Sequence, residues 1–225
     1  MHKYLFLLII CIPVIFGCAV SKNIPAMTVK LRSENGNGVK LSAMVAGVDG
    51  RTLDGARVVA VNPAGTAILL NFNTINNRFE GYFDGEINGN YSVRCGGISE
   101  YDDVELHIKH FILQDKPVIE MLRDVTGSSA LNAEQLDVNT DIILDFNDVN
   151  GANRYRIVIY GNNGVVYSLG VVNSNGIVPA KSLLSGSNYF ICVEAQFITG
   201  DPLFEKESYS SESVVSGDKF YFRTK

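Results

Sequence analysis

The 225-residue sequence has no tryptophan and only three histidines, six prolines and four cysteines. Sugar-binding sandwiches commonly present a flat aromatic platform, most often tryptophan, so glycan recognition here would have to rest on the ten tyrosines. One histidine lies at position 2, which leaves His107 and His110 for any imidazole chemistry in the body. No Gly-x-Ser-x-Gly elbow is present to hold a strained serine nucleophile. The 19 basic residues are scattered under a net charge of −5, which excludes a surface built to neutralise nucleic-acid phosphates. No glycine-rich turn joins a strand to a helix, so a nucleotide cradle is excluded and no cofactor is expected. Beyond residue 20 no 3.6-residue periodicity persists over three turns, which excludes helical architectures. What is present is 46% hydrophobic residues with 21 glycines, enough for a packed globular core.

The chain opens with an address. His2 and Lys3 precede an apolar run, Tyr4 to Val20, interrupted by Pro13. A membrane span needs about 20 apolar residues; this run is shorter and carries a helix breaker, so it reads as an export signal. Its end, Val14-Ile15-Phe16-Gly17-Cys18, resembles the bacterial lipoprotein signal, with Phe16 where a small residue is usual. The resemblance implies a signal peptide over 1–17, diacylation of Cys18, and a lipidated tether over 18–26. With Ala19 rather than Asp following, it implies a cell-envelope protein held on the outer membrane, its membrane partner engaged through the lipid. The competing reading is an ordinary export signal or an uncleaved anchor, with Cys18 a bystander.

Cys95 and Cys192 remain in the body. Strand alternation puts Cys95 with Tyr91 and Val93 on a core face, and Cys192 with Phe190 and Glu194 on the opposite face from Ile191 and Val193. No disulfide and no structural zinc are expected.

The body reads as all-β. Asn-Gly and Asp-Gly pairs recur at 35–36, 37–38, 49–50, 54–55, 84–85, 88–89, 150–151, 163–164 and 175–176 and mark chain reversals. Between them the first half predicts strands over 28–32, 40–48, 56–62, 67–72, 78–83, 90–95, 104–109 and 117–122. Asp49-Gly50-Arg51-Thr52-Leu53-Asp54-Gly55-Ala56-Arg57-Val58, followed by Phe79-Glu80-Gly81 and Gly89-Asn90-Tyr91-Ser92-Val93, resembles the carboxypeptidase-regulatory-like or prealbumin-like β-sandwich, implying such a domain over 27–124.

In the second half, Ile142 to Phe146, Arg154 to Ile159, and Leu183-Leu184-Ser185-Gly186-Ser187-Asn188-Tyr189 resemble a fibronectin type III domain over 125–225. The resemblance implies that Phe146 takes the place of the family's core tryptophan, that Tyr155 is its strand tyrosine, and that Tyr189 makes its corner hydrogen bond. The expected fold is therefore two tandem Greek-key, Ig-like β-sandwiches after the signal. They would be joined by a short polar linker between Asp124 and Asn132 that permits a modest hinge.

Few residues invite chemistry. His107 and His110 are three apart on one predicted strand and point to opposite faces, so they cannot clasp one metal. His107 shares its face with Glu105 and Lys109, a solvated setting. Cys192 beside Glu194 would have a raised rather than a reactive thiol. Glu100, Asp102 and Asp103 are calcium candidates without a complete ligand loop. The same carboxylates with exposed tyrosines would serve a glycan-binding site, one alternative reading; an accessory subunit of an envelope complex is the other. The leading expectation is a non-catalytic, lipid-anchored spacer or module for a protein partner of the envelope. Its contacts would lie at loop tips such as Asn162, Asn163, Asp201 and Pro202, or along a free sheet edge that accepts a partner's strand.

Overall fold

A computed structural model describes residues 22–35, 37–85, 87–200 and 209–225. The first sandwich comprises β1 (Ala26–Glu34), β2 (Asn37–Ala46), β3 (Arg57–Val61), β4 (Ala67–Leu69), β5 (Asn71–Asn73), β6 (Arg78–Phe83), β7 (Gly89–Gly96) and β8 (Val104–His110). One face is ordered β4-β3-β7-β8, the other β5-β6-β2-β1. Alternation fills the space between: Val29, Leu31, Leu41, Ala43, Val58, Phe79, Tyr91, Val93, Cys95 and Ile108 are buried. The single strand expected over 67–72 is split, because buried Leu70 bonds back to Val58 and carries the chain from one sheet to the other.

The second sandwich comprises β9 (Ile119–Asp124), β10 (Ile142–Phe146), β11 (Arg154–Gly161), β12 (Gly164–Val171), β13 (Asn175–Val178), β14 (Asn188–Thr199), β15 (Tyr209–Ser216) and β16 (Phe220–Arg223). A sheet ordered β13-β10-β9 packs on β12-β11-β14, whose free side is taken first by β16 and then by β15. This is the two-sheet layering of Ig-like domains. β15 and β16 are one interrupted strand, broken at Gly217, where a side chain would strike the carbonyl of Pro117. Asn175-Gly176 is not a reversal but the start of β13; a Cβ on Gly176 would run into Ile157, so that glycine admits a core side chain.

The two sandwiches share a sheet. β1 pairs in parallel with β15, from Val29↔Tyr209 to Glu34↔Val214, giving one nine-stranded sheet that runs through both halves. The hinge expected from composition is absent in the described residues. The two cores part between Ile112, in the first, and Leu113, in the second, earlier than the expected joint at 124–132. Leu122 of β9 packs in the second core, so residues 119–124 belong with it. The Thr126-Gly127-Ser128-Ser129 stretch, small and polar enough to pass for a linker, is a turn folded back on Asp124.

Candidate functional site

The strongest concentration of buried polar groups lies where the two sandwiches meet. On β8 the inward register runs Val104, Leu106, Ile108, His110, so the core face of that strand ends in an imidazole that is 1% exposed. The inward register of β1 ends in Ser33, and that of β15 presents Ser211 and Ser213, all buried. His110 Nδ1 lies 2.7 Å from Ser211 Oγ and Nε2 lies 3.2 Å from Ser33 Oγ. Ser33 donates to Ser213 Oγ at 2.9 Å, and Ser213 also accepts the backbone N–H of Leu113 at 2.9 Å.

With Ser33 committed as donor to Ser213, the self-consistent arrangement has Nε2–H donating to Ser33 and Nδ1 accepting from Ser211. Burial pushes the His110 pKa down to about 4, which keeps the ring neutral. The edge of Tyr91 closes over the ring at 5.8 Å and 87°, and burial raises that phenol to about 12. A serine hydroxyl beside an imidazole is the geometry of an activated nucleophile, but Ser211 is wholly buried and the pair serves as a polar clamp between β8, β1 and β15. The β1–β2 turn adds to it. Asn35, at φ 52°, donates its N–H to the Val214 carbonyl at 2.8 Å and accepts from Ser216 N–H at 3.2 Å.

On the outer face the same shared sheet carries charge. Arg156 grips Glu194 with two bonds of 2.7 and 2.9 Å, and Arg32 bonds Glu34 at 2.7 Å and reaches Glu212 at 3.9 Å. Together with Gln196 these line a shallow polar depression of about 280 Å³ across the junction.

The sequence candidates are dispersed. Cys18, Asp201 and Pro202 lie outside the described residues. Asn162 and Asn163 are exposed at the tip joining β11 to β12. Asp103 is engaged by Arg94 at 2.6 Å, while the backbones of Glu100 and Asp102 are tied to Asn23. Among the described residues no three His, Cys, Asp or Glu side chains converge as a metal cage, so Glu100, Asp102 and Asp103 are not assembled into one. His107 is solvated, 3.9 Å from Glu105. Both cysteines are free; Cys95 is in the first core and Cys192 is half-buried, its thiol pushed up by burial and then by Glu194.

Tyrosines do gather on one face, but not as a platform. Tyr160 and Phe190 stack face to face at 4.6 Å and 10°, Tyr221 tilts on Phe190 at 5.6 Å, and Lys219 lies 4.8 Å above the Phe190 ring. The faces of Phe190 are thus occupied from within, and the row lies on β11, β14 and β16, whereas residues 100–103 join β7 to β8 in the first sandwich. The residues singled out for the second core are where the resemblance put them. Phe146 packs on Tyr155 at 4.9 Å, and Tyr189 Oη accepts the N–H of Leu184 at 2.8 Å.

Sequence reasoning missed Ser33, Ser211 and Ser213. The available signal was the inward register of His110, a polar residue on a core face that demands partners.

No family model matches the chain, and no curated protein does. Among solved structures it is similar to a two fibronectin type III domain segment from chicken tenascin, with 12% identity over 89% of this chain and 99% of that one, at a TM-score of 0.31. It is also similar to the FN1–FN3 domains of chicken CNTN1, with 12% identity over 91% of this chain and 66% of that one, at a TM-score of 0.42.

Proposed function

We propose that the protein is a non-catalytic, lipid-anchored component of a bacterial cell envelope, acting as a stiff spacer that presents a protein-binding surface. The observation that carries this reading is the nine-stranded sheet common to both sandwiches. Parallel pairing of β1 with β15, locked by a buried His–Ser network, makes one body of what composition suggests are two beads on a hinge. β1 and β15 run in the same direction, so the chain enters the sheet at one end through Ala26 and leaves toward the other through β16. A force between an N-terminal anchor and a C-terminal load would therefore shear ladders of hydrogen bonds rather than unzip them. The first sandwich is read as prealbumin-like and the second as fibronectin type III-like. The anchor itself is inferred from the Val14–Cys18 resemblance, with outer-membrane placement inferred from Ala19.

Mass spectrometry of the protein extracted from membranes tests the anchor, and co-purification in detergent tests the partner. The expected result is an N-terminal peptide beginning at a diacylated Cys18, with an envelope protein recovered alongside. A mature N-terminus further along, or an unmodified Cys18 thiol, would overturn the anchored reading.

A further inference from the structure

Among the described residues the paths of the three sheets end in six strands, β12 and β5, β13 and β9, β4 and β8, and β16 adds a four-residue edge that carries Arg223 and is bridged to Leu136 at Thr224. A sheet end exposes a row of unpaired N–H and C=O groups, and folds protect such rows by shortness, charge or bulges. β4 and β5 are three residues long and β13 is four. β8 carries Glu105, His107 and Lys109, and β9 carries Glu120 and Arg123. β12 is different. Its eight residues hold no charge, and neither does any position from Ile157 to Ala180. A bulge opposite Ile159–Tyr160 disturbs its start, but from Tyr167 to Val171 it runs in unbroken register along β11. Val165, Val166 and Val172, at its two ends, are 58%, 46% and 74% exposed, and Ile177 of neighbouring β13 is 54% exposed.

We propose that β12 is a homotypic pairing edge, at which two copies of this chain join antiparallel about Ser168 to continue the shared sheet across a two-fold axis. The occupant is specified by the edge. Unpaired backbone groups call for an extended strand, and the absence of charge lets an identical edge approach without the repulsion that Glu105 or Lys109 would impose on a β8 pairing. In a continuous sheet, facing residues must point to the same side. Centring on Ser168 satisfies this: Tyr167 comes opposite Leu169 of the second copy on the side that packs over the second core, and the two Ser168 hydroxyls meet on the outer side. The same register brings Val165 opposite Val171 of the second copy. The contact is isologous and closes after two copies, so it yields a dimer rather than a filament. Five regular residues make a small interface, and association in the range of about 1 to 100 µM is expected. The inference is independent of the lipid anchor and of any envelope partner.

The test uses the full chain in detergent, as wild type, S168K and S168E. Ser168 is exposed on the outer face, and unchanged circular dichroism and melting would show that each variant folds. Sedimentation equilibrium should show a monomer–dimer equilibrium for wild type, weakened at least ten-fold by either substitution. Mixing S168K with S168E should restore it, because opposite charges then meet at the axis. Amide exchange across β12 should slow with increasing wild-type concentration while β8 is unaffected. A wild-type chain monomeric up to about 100 µM, a dimer that both variants leave intact, a mixture that fails to recover, or a monomer whose β12 is covered only by another protein's strand would each overturn the proposal.

Discussion

Ser33 and Ser213 stand 180 positions apart in the chain, yet their hydroxyls are 2.9 Å apart in the interior. One belongs to the first strand and the other to the last long one, so the bond closes the fold from end to end. β15 is the inner neighbour of β1 as well as a strand of the second sandwich; its Tyr209 packs against the first core and its Val215 is buried in the second. The serines are small enough for the two sheets to approach at the junction. Their hydroxyls satisfy an imidazole and a backbone N–H that would otherwise be buried without partners.

Replacing Ser213 with alanine leaves the Leu113 N–H and the Ser33 hydroxyl without their acceptor in a place water does not reach. The expected cost is about 2 kcal/mol, read as a lower urea midpoint. Both halves should still melt in one transition, with peptides from β7 and from β11 losing exchange protection at the same denaturant concentration. Two separate midpoints in the wild-type protein would contradict the shared-sheet account of its cooperativity.

The His110 ring makes a prediction about acid. Its folded-state pKa, about 4, lies below the ordinary 6.5, so the unfolded chain takes up a proton that the folded chain refuses. The resulting contribution to stability is whole above pH 6.5 and is lost as the pH falls toward 4, and it amounts to about 3 kcal/mol over that window. Denaturant midpoints measured at pH 7, 6, 5 and 4 should fall more steeply for wild type than for H110Q. H110Q should start lower at pH 7, because it loses the fit to Ser33 and Ser211. Parallel curves for the two proteins would remove His110 as the titrating group.

How much of this was legible follows from which strands alternate apolar with polar residues. Arg78–Phe83 was predicted at the bounds the structure shows, because Phe79 and Phe83 point inward, and the run Ile142–Phe146 quoted for the resemblance coincides with β10, whose Ile142, Leu144 and Phe146 are buried. β15 was invisible for the opposite reason: its inward positions begin Ser211, Ser213, a pattern that reads as loop, and its second partner lies at the far end of the sequence. The inward direction of His110 was readable from its offset to His107. Its two hydrogen-bond partners were not, since nothing local links Ser33 to Ser211. The charge-free stretch around β12 was plain in the sequence, but only the sheet order shows that it lies on an edge.

The corner tyrosine offers a cleaner measurement than the junction. Tyr189→Phe keeps the ring stacked on Phe222 and removes only the oxygen that accepts the Leu184 N–H. A loss of about 1 kcal/mol is expected, while Tyr221→Phe, at a ring 70% exposed, should be neutral. Equal effects from the two substitutions would mean that the corner bond contributes nothing particular.

Asp124 gathers the turn that composition presents as a linker. Its side chain is completely buried; Oδ1 accepts from the N–H groups of Thr126 and Ser128 at 2.9 and 3.0 Å and from the Thr126 hydroxyl at 2.6 Å, and Oδ2 accepts from Asp137 N–H at 2.8 Å. Lys225 stands 3.9 Å away. Burial pushes the carboxyl upward, but the bonds from Thr126, Asp137 and Ser128, with the Lys225 charge, outweigh it and hold the group below its ordinary 3.8. Every neighbour is a donor, so D124N must aim an amide N–H₂ at another donor whichever way it is turned. A loss of about 3 kcal/mol is expected, in the range for breaking a buried polar network. Because the folded pKa is depressed, the wild-type advantage is present above pH 3.8 and disappears as the pH falls through the folded value. The stability gap between wild type and D124N should therefore narrow under acid. A gap that is absent at pH 7, or that persists undiminished at pH 2, would show that the carboxylate is not what holds this turn against the second core.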